Sequence, residues 1–397
     1  MISRRDMLRS TAALGLAGAL PARAMAATAD TEKRLVVIVL RGGMDGLGAV
    51  PATGDPDFPG LRGAIGDGST MRTGPVQKLD STFSLHPLLR QMHGMWRDGD
   101  LAIAHAVHSP ARNRSHFDSQ DLLEIGLNNV SSSSDGWINR ALGWYETPSR
   151  RMGLATGYGM PLIMRGSEGV RVWSPRRLPE AEDNLLTALG QMGAGDAAFR
   201  SAIREGADSI ERDQAVLGQD GHTNHPSTRD MKAIGQLARA TGRFLAQPDG
   251  PRIATFDIGG WDTHGSQTVY FGYRMPVLDG AIAALKTGLG DRWQDTAVAV
   301  VTEFGRTVRP NGTGGTDHGT ATAAMIAGGA VKGGKVHADW PGMRPGDLYE
   351  GRDLKPTMDI RSVFKALLTQ HMQMNPDFVE RTVFPDSGSV RVIPGLA

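Results

Sequence analysis

The chain has 397 residues, with 43 Lys+Arg set against 42 Asp+Glu and no cysteine. A balance so near neutral argues against nucleic acid or anionic lipid as a partner. The absence of cysteine excludes a disulfide framework, so stability must come from a hydrophobic core, and the length suffices for one large α/β domain or two smaller ones.

In chain order, Arg4 and Arg5 come first, ahead of an apolar run from Ala12 to Leu20 that is too short to cross a bilayer. Ala24-Met25-Ala26 then supplies the small residues of a cleavage site. The three parts predict a twin-arginine signal peptide over residues 1–26, with the twin-arginine exporter as a partner and the periplasm or the cell exterior as destination. Its removal takes away four Arg and one Asp, leaving 39 basic against 41 acidic residues, or −2, over 27–397. No later stretch reaches the roughly 20 apolar residues of a spanning helix, so no membrane association is expected after cleavage.

Leu35–Leu40 (LVVIVL) is a continuous β-branched run, the pattern of a central parallel strand buried on both faces, and it ends in Arg41-Gly42-Gly43-Met44-Asp45-Gly46. Strand runs recur at Leu101–Val107, Ile253–Ile258 and Ala297–Val301, and more weakly at Pro161–Met164 and Ala323–Ala327. Helical spacing of apolar residues marks Ser115–Ile125, Met231–Leu245, Met275–Leu289 and Ile360–Met372. Ser131–Ser134 reads as a polar loop, and Leu185–Gly221 as a polar helical segment inside an insertion near 180–247, either a cap over the site or a surface feature. Strands alternating with helices predict one α/β domain over 27–397: a doubly wound, mostly parallel sheet with helices on both faces.

Ligands of such sheets gather at the carboxyl ends of the strands. Asp45 follows the first strand, and Ser109, Asn113, Arg114, Ser115, His116 and Asp118 follow the second. Asp262 and His264 follow IATFDI; Thr302, Glu303, Arg306, Asp317 and His318 follow AVAVV. Asp262 and His264, two apart, point the same way in an extended segment, and Asp317 with His318 on a glycine-flanked loop can converge on one ion or serve two. Mixed carboxylate and imidazole ligands suit one or two divalent ions, zinc or manganese more readily than magnesium or calcium. Turn and cap chemistry is the alternative for each residue singly. Ser115, placed before an apolar periodic run, reads as a helix N-cap, a role compatible with nucleophilic attack because a helix N-terminus also welcomes an anionic ester.

The segments LRGGMDGLGAVP, HPLL, NRSHFDSQDLLE, GGWDTHGSQ and TEFGRTVRPNGTGGTDHG resemble exported bacterial proteins of domain-of-unknown-function family 1501. That family is similar in turn to the alkaline-phosphatase-like superfamily, which includes phosphatases, arylsulfatases and cofactor-independent phosphoglycerate mutases. The resemblance implies an alkaline-phosphatase-like fold and a metal-dependent hydrolase of phosphate or sulfate esters, with a small anionic ester as substrate. It implies Asp45, Asp262, His264, Asp317 and His318 as metal ligands and Ser115 as nucleophile. In such an enzyme Arg114 or Arg306 would hold the anion, an ion pair in packing or at the surface being the alternative for either, and His116 is a ligand, an orienting group or a buried, satisfied histidine. A further C-terminal histidine usual in that superfamily finds only His337 and His371 here, neither in a clear motif. Ser109-Pro110-Ala111-Arg112 is one residue short of the arylsulfatase maturation motif, which sets a formylglycine sulfatase aside. The second reading is a non-catalytic secreted binding or assembly factor that keeps the fold.

Overall fold

The computed structural model of the chain describes residues 31–65, 74–110, 114–130, 133–146, 152–157, 159–175, 215–217 and 231–397. The expected signal peptide, and nearly all of the Leu185–Gly221 segment, lie outside the described residues.

The strands in chain order are β1 (Arg34–Arg41), β2 (Gln77–Lys78), β3 (Ser84–Leu85), β4 (Leu101–His108), β5 (Gly153–Thr156) and β6 (Val170–Trp173). They continue with β7 (Ile253–Gly259), β8 (Thr296–Val301), β9 (Thr322–Ala327), β10 (Lys335–His337) and β11 (Met358–Asp359). The main sheet runs β10-β4-β9-β8-β1-β7-β5-β6, with β11 also paired to β4. β1 lies between β7 and β8, parallel to both. It is buried along both faces: Val36, Ile38 and Leu40 enter one core, and Leu35, Val37 and Val39 the other. That two-sided burial is why its sequence is continuously rather than alternately apolar.

Helices cover both faces. Met92, Ile234, Leu237, Phe244, Met275, Leu278 and Ile282 bring the helices Arg90–Asp98, Met231–Ala246 and Gln267–Leu289 onto one face. Trp137, Ile138, Val363 and Phe364 bring Trp137–Leu142 and Arg361–Ala366 onto the other. The α/β class, the mostly parallel sheet and the two helical layers are as the sequence predicts. Among the described residues no helix is long and apolar enough to cross a membrane.

One departure from parallel order positions the site. β9 is antiparallel to both β8 and β4, so the loop 302–321 leaves β8 and re-enters the sheet at one rim. Residues that precede a strand, Asp317 and His318, thereby join residues that follow strands. Three elements differ from expectation. Pro161–Met164 is no strand: Leu162–Met164 forms a 3₁₀ turn, in which the Ile163 N–H donates to Glu124 Oε2 at 2.8 Å instead of to a ladder. The helix expected from Met275 begins at Gln267 and runs through Pro276. Its first turn is anchored from outside, the Ser266 and Gln267 N–H groups donating to Thr313 O (3.0 Å) and Gly314 O (2.9 Å). The helix expected over Ile360–Met372 is α only over Arg361–Ala366 and widens to a π turn over Leu367–His371.

Candidate metal centre

Two loops cross at the rim. Gly315 lies so close under the His264 backbone that a Cβ there would stand 2.3 Å from the His264 carbonyl carbon. Arg306 and His318 pair as an isolated antiparallel bridge. This crossing brings the loop after β7, bearing Asp262 and His264, against the loop after β8, bearing Glu303, Arg306, Asp317 and His318. The helix His116–Ile125, entered from β4, adds His116.

The side chains converge on the Asp262 carboxylate. Its Oδ1 lies 3.0 Å from His264 Nε2, 3.2 Å from His318 Nε2 and 2.8 Å from Arg306 Nη1. His116 Nε2 is 3.5 Å from Oδ2. Partial burial alone would raise the Asp262 carboxyl, but the Arg306 guanidinium and the flanking imidazoles hold it below the ordinary carboxylate range.

Each imidazole is oriented through its other nitrogen. His116 Nδ1 is 2.9 Å from Glu303 Oε1, His318 Nδ1 is 3.0 Å from the Arg114 carbonyl oxygen, and His264 Nδ1 is 3.2 Å from Asp317 Oδ1. A carbonyl or carboxylate oxygen can only accept, so each Nδ1 carries the proton; Nε2 then donates to Asp262 in a protonated ring and presents a lone pair in a neutral one. The Nε2 atoms of His264 and His318 are 3.0 Å apart, and His116 Nε2 is buried with no hydrogen-bond partner. Lone pairs so placed around a carboxylate make a donor set that suits a cation. Carboxylates and carbonyls that fix the Nδ1–H are also the usual support of metal-ligating histidines.

Ligand atoms of His116, Asp262 and His318 lie within 4.8 Å of one another, and His264 Nε2 adjoins two of them. Three imidazoles and one carboxylate fit zinc or manganese; magnesium and calcium call for more oxygen. Burial, with His116 and Arg306 nearby, lowers the His318 pKa and favours its neutral form. The Glu303 bond, outweighing burial, raises that of His116 and makes it a stronger base. Glu303 is fully buried. Burial alone would raise its carboxyl, yet bonds from His116, Gln120 and the Gly42 N–H hold it at about 2. Its position directly after β8 was the only sequence signal for this residue.

Several residues expected at the centre stand elsewhere. Asp45 is not among the converging ligands: it caps the helix Gly46–Ala49 through Oδ1 and the Leu47 N–H (3.1 Å), while Oδ2 accepts from Gln267 Nε2 (2.6 Å) and pairs with the buried Arg62. A guanidinium already neutralises the acid that a second ion would need. Asp317 touches the cluster through His264 Nδ1 and also accepts from Asn311 Nδ2 at 3.0 Å, so it orients the His264 ring. Arg306 is fully buried, spending its nitrogens on Asp262 and on Thr316. Arg114, at φ 57°, directs its guanidinium to Asp353 (2.9 Å) and Glu350 (2.5 Å). Arg306 is thus closed to an anion as placed, and Arg114 is held by two carboxylates. Ser115 is the N-cap residue of His116–Ile125 but makes no side-chain cap bond. His371 bonds the Arg34 carbonyl at the amino end of β1, away from the rim, and His337 ends the edge strand β10. The third imidazole is His116.

Among solved structures, the chain is similar to Ps i-CgsB in complex with k-i-k-neocarrahexaose, at 10% identity and a TM-score of 0.36 over 77% of this chain and 68% of that one. It is similar also to the phosphonate monoester hydrolase of Agrobacterium radiobacter, at 13% identity and a TM-score of 0.36 over 87% and 74%. At that level of likeness neither carries its activity across. No curated protein matches. The profile described as protein of unknown function (DUF1501) matches residues 101–383, from β4 through the rim loops to a second π turn at Val379–Val383. The chain therefore belongs to the DUF1501 family.

Proposed function

We propose that this protein is an exported metal-dependent hydrolase of phosphate or sulfate esters, acting in the periplasm or outside the cell on a small anionic ester. The observation that carries the reading is the convergence of three Nδ1-anchored imidazoles on Asp262, with the His116 Nε2 unpartnered. His116, Asp262, His264 and His318 would hold a single zinc or manganese ion. When bound, the ion supplies Lewis acidity toward a phosphoryl or sulfuryl oxygen. The chain's own groups do the positioning: Glu303 and the Arg114 carbonyl fix two rings, and Arg306 fixes Asp262. Ser115, at the amino end of the helix that bears His116, offers a hydroxyl for attack, with the helix N–H groups near an anion attached there.

The test is turnover of an aryl phosphate and an aryl sulfate by the zinc- or manganese-loaded protein. The expected result is hydrolysis that chelation abolishes, and that Ser115→Ala removes while leaving metal content unchanged. A protein that binds metal and hydrolyses neither ester contradicts the proposal. One observation favours the second reading, a non-catalytic binding or assembly factor. Arg62 occupies Asp45, and Arg114 and Arg306 are committed to internal partners.

A further inference from the structure

The sheet edge beside β4 is covered by two short strands that do not meet. β10 pairs with Ala102–Ala104, and β11 pairs with Val107 and His108. Between them β4 is irregular, with Ala106 at φ 56°. Beside this gap opens a cavity of about 1000 Å³, at the upper end of the range of small-molecule sites. Three of its lining residues keep buried polar atoms without a hydrogen-bond partner: Arg361 Nη1, His337 Nε2 and Thr357 Oγ1. Arg361 is only 4% exposed. Its Nε and Nη2 bond the two oxygens of Asp359 at 3.0 and 2.7 Å, which holds the guanidinium rigid with one nitrogen unspent. Lys335 and Arg391 line the cavity at exposed positions. Of the two lining carboxylates, Asp359 is already spent on Arg361, which leaves Asp339 against two exposed cations.

We propose that this cavity binds a small organic anion, whose carboxylate or phosphoryl oxygens take up Arg361, Thr357 and His337 while Lys335 and Arg391 attract it. An arginine fixed from behind by a carboxylate, with an N–H left over, is pre-organised to orient such a group. The volume exceeds what a bare inorganic ion fills. The site shares no residue with the metal centre and does not depend on any hydrolytic activity there.

Calorimetric titration of the purified protein with sodium citrate, and separately with inorganic phosphate, each against sodium chloride at matched ionic strength, tests this. Saturable one-to-one binding of at least one probe is expected. Citrate alone would mark carboxylate chemistry, and phosphate alone phosphoryl chemistry. Affinity should fall at least tenfold in the double variant Lys335→Glu/Arg391→Glu, whose changes are at exposed positions, and several-fold in Thr357→Val. It should persist in His264→Ala, which disables the rim. The proposal is overturned if neither probe saturates, as for a cavity filled only with water. Binding that survives both cavity variants, or that disappears in His264→Ala, overturns it equally.

Discussion

Glu303 and Asp45 are both buried acids at strand ends, yet their partners give them opposite roles. Glu303 fixes the Nδ1–H of His116, so Glu303→Gln should leave the fold intact and weaken metal affinity about 10–100-fold, the usual effect of losing such a support. Competition with a chelator reads this directly, and parental affinity in the variant would show that Glu303 does not act through His116. Asp45→Ala should do the reverse. Removing one partner of a buried ion pair leaves Arg62 uncompensated, at a cost of about 3–5 kcal/mol in urea unfolding, while metal content stays at the parental level. Loss of metal without loss of stability would return Asp45 to the ligands. Asp262, His264, Asp317 and His318 were legible as acid–histidine pairs after strand-like runs. His116 was harder to place, because a histidine beside Ser115 at the head of an amphipathic run also fits simple packing. The fate of Asp45 was not legible at all: its partner Arg62 lies 17 positions on, in a stretch without periodic signal.

At the scale of elements, the site depends on two loops passing close enough that no side chain fits between them. A Cβ on Gly315 would meet the His264 carbonyl carbon at 2.3 Å, and, where the second loop folds back on itself, one on Gly305 would meet the Ala321 carbonyl oxygen at 1.7 Å. Backbone atoms on both sides cannot yield as a flexible side chain can. Gly315→Ala should therefore push the His264 loop outward and lower both stability and metal affinity, although it touches no ligand side chain. Crystallography or chelator competition checks it; unchanged affinity would mean that the loop crossing does not set the ligand spacing. The strands were readable because burial on both faces imposes uninterrupted β-branched runs. The antiparallel entry of β9 was not, since orientation depends on where a chain re-enters a sheet and leaves no mark on apolar periodicity. The early start of the Gln267–Leu289 helix rests on bonds to Thr313 and Gly314, partners that only the tertiary structure supplies.

The whole molecule carries a pH dependence set away from the rim. Burial pushes His86, His105 and His371 from 6.5 down to about 4. These rings are neutral in the fold and take up protons only on unfolding, so their contribution is fully present above pH 6.5 and is lost as pH falls toward 4. Each shift is worth about 3 kcal/mol at most. Asp257, raised by burial to about 6 against the opposing charge of Arg41, works in the other direction as pH falls from 6 toward 3.8. With three strongly shifted imidazoles against one strongly shifted carboxyl, urea unfolding should show stability dropping between pH 6.5 and 5, above the range where ordinary carboxylates titrate; a flat profile there would contradict it. The most direct test of the central claim is elemental analysis of the protein purified without chelators. The account predicts about one zinc or manganese ion per chain, lost in His116→Ala, Asp262→Ala, His264→Ala and His318→Ala and retained in Asp45→Ala. A parent protein with no bound divalent ion, and none taken up from added zinc or manganese, would contradict it.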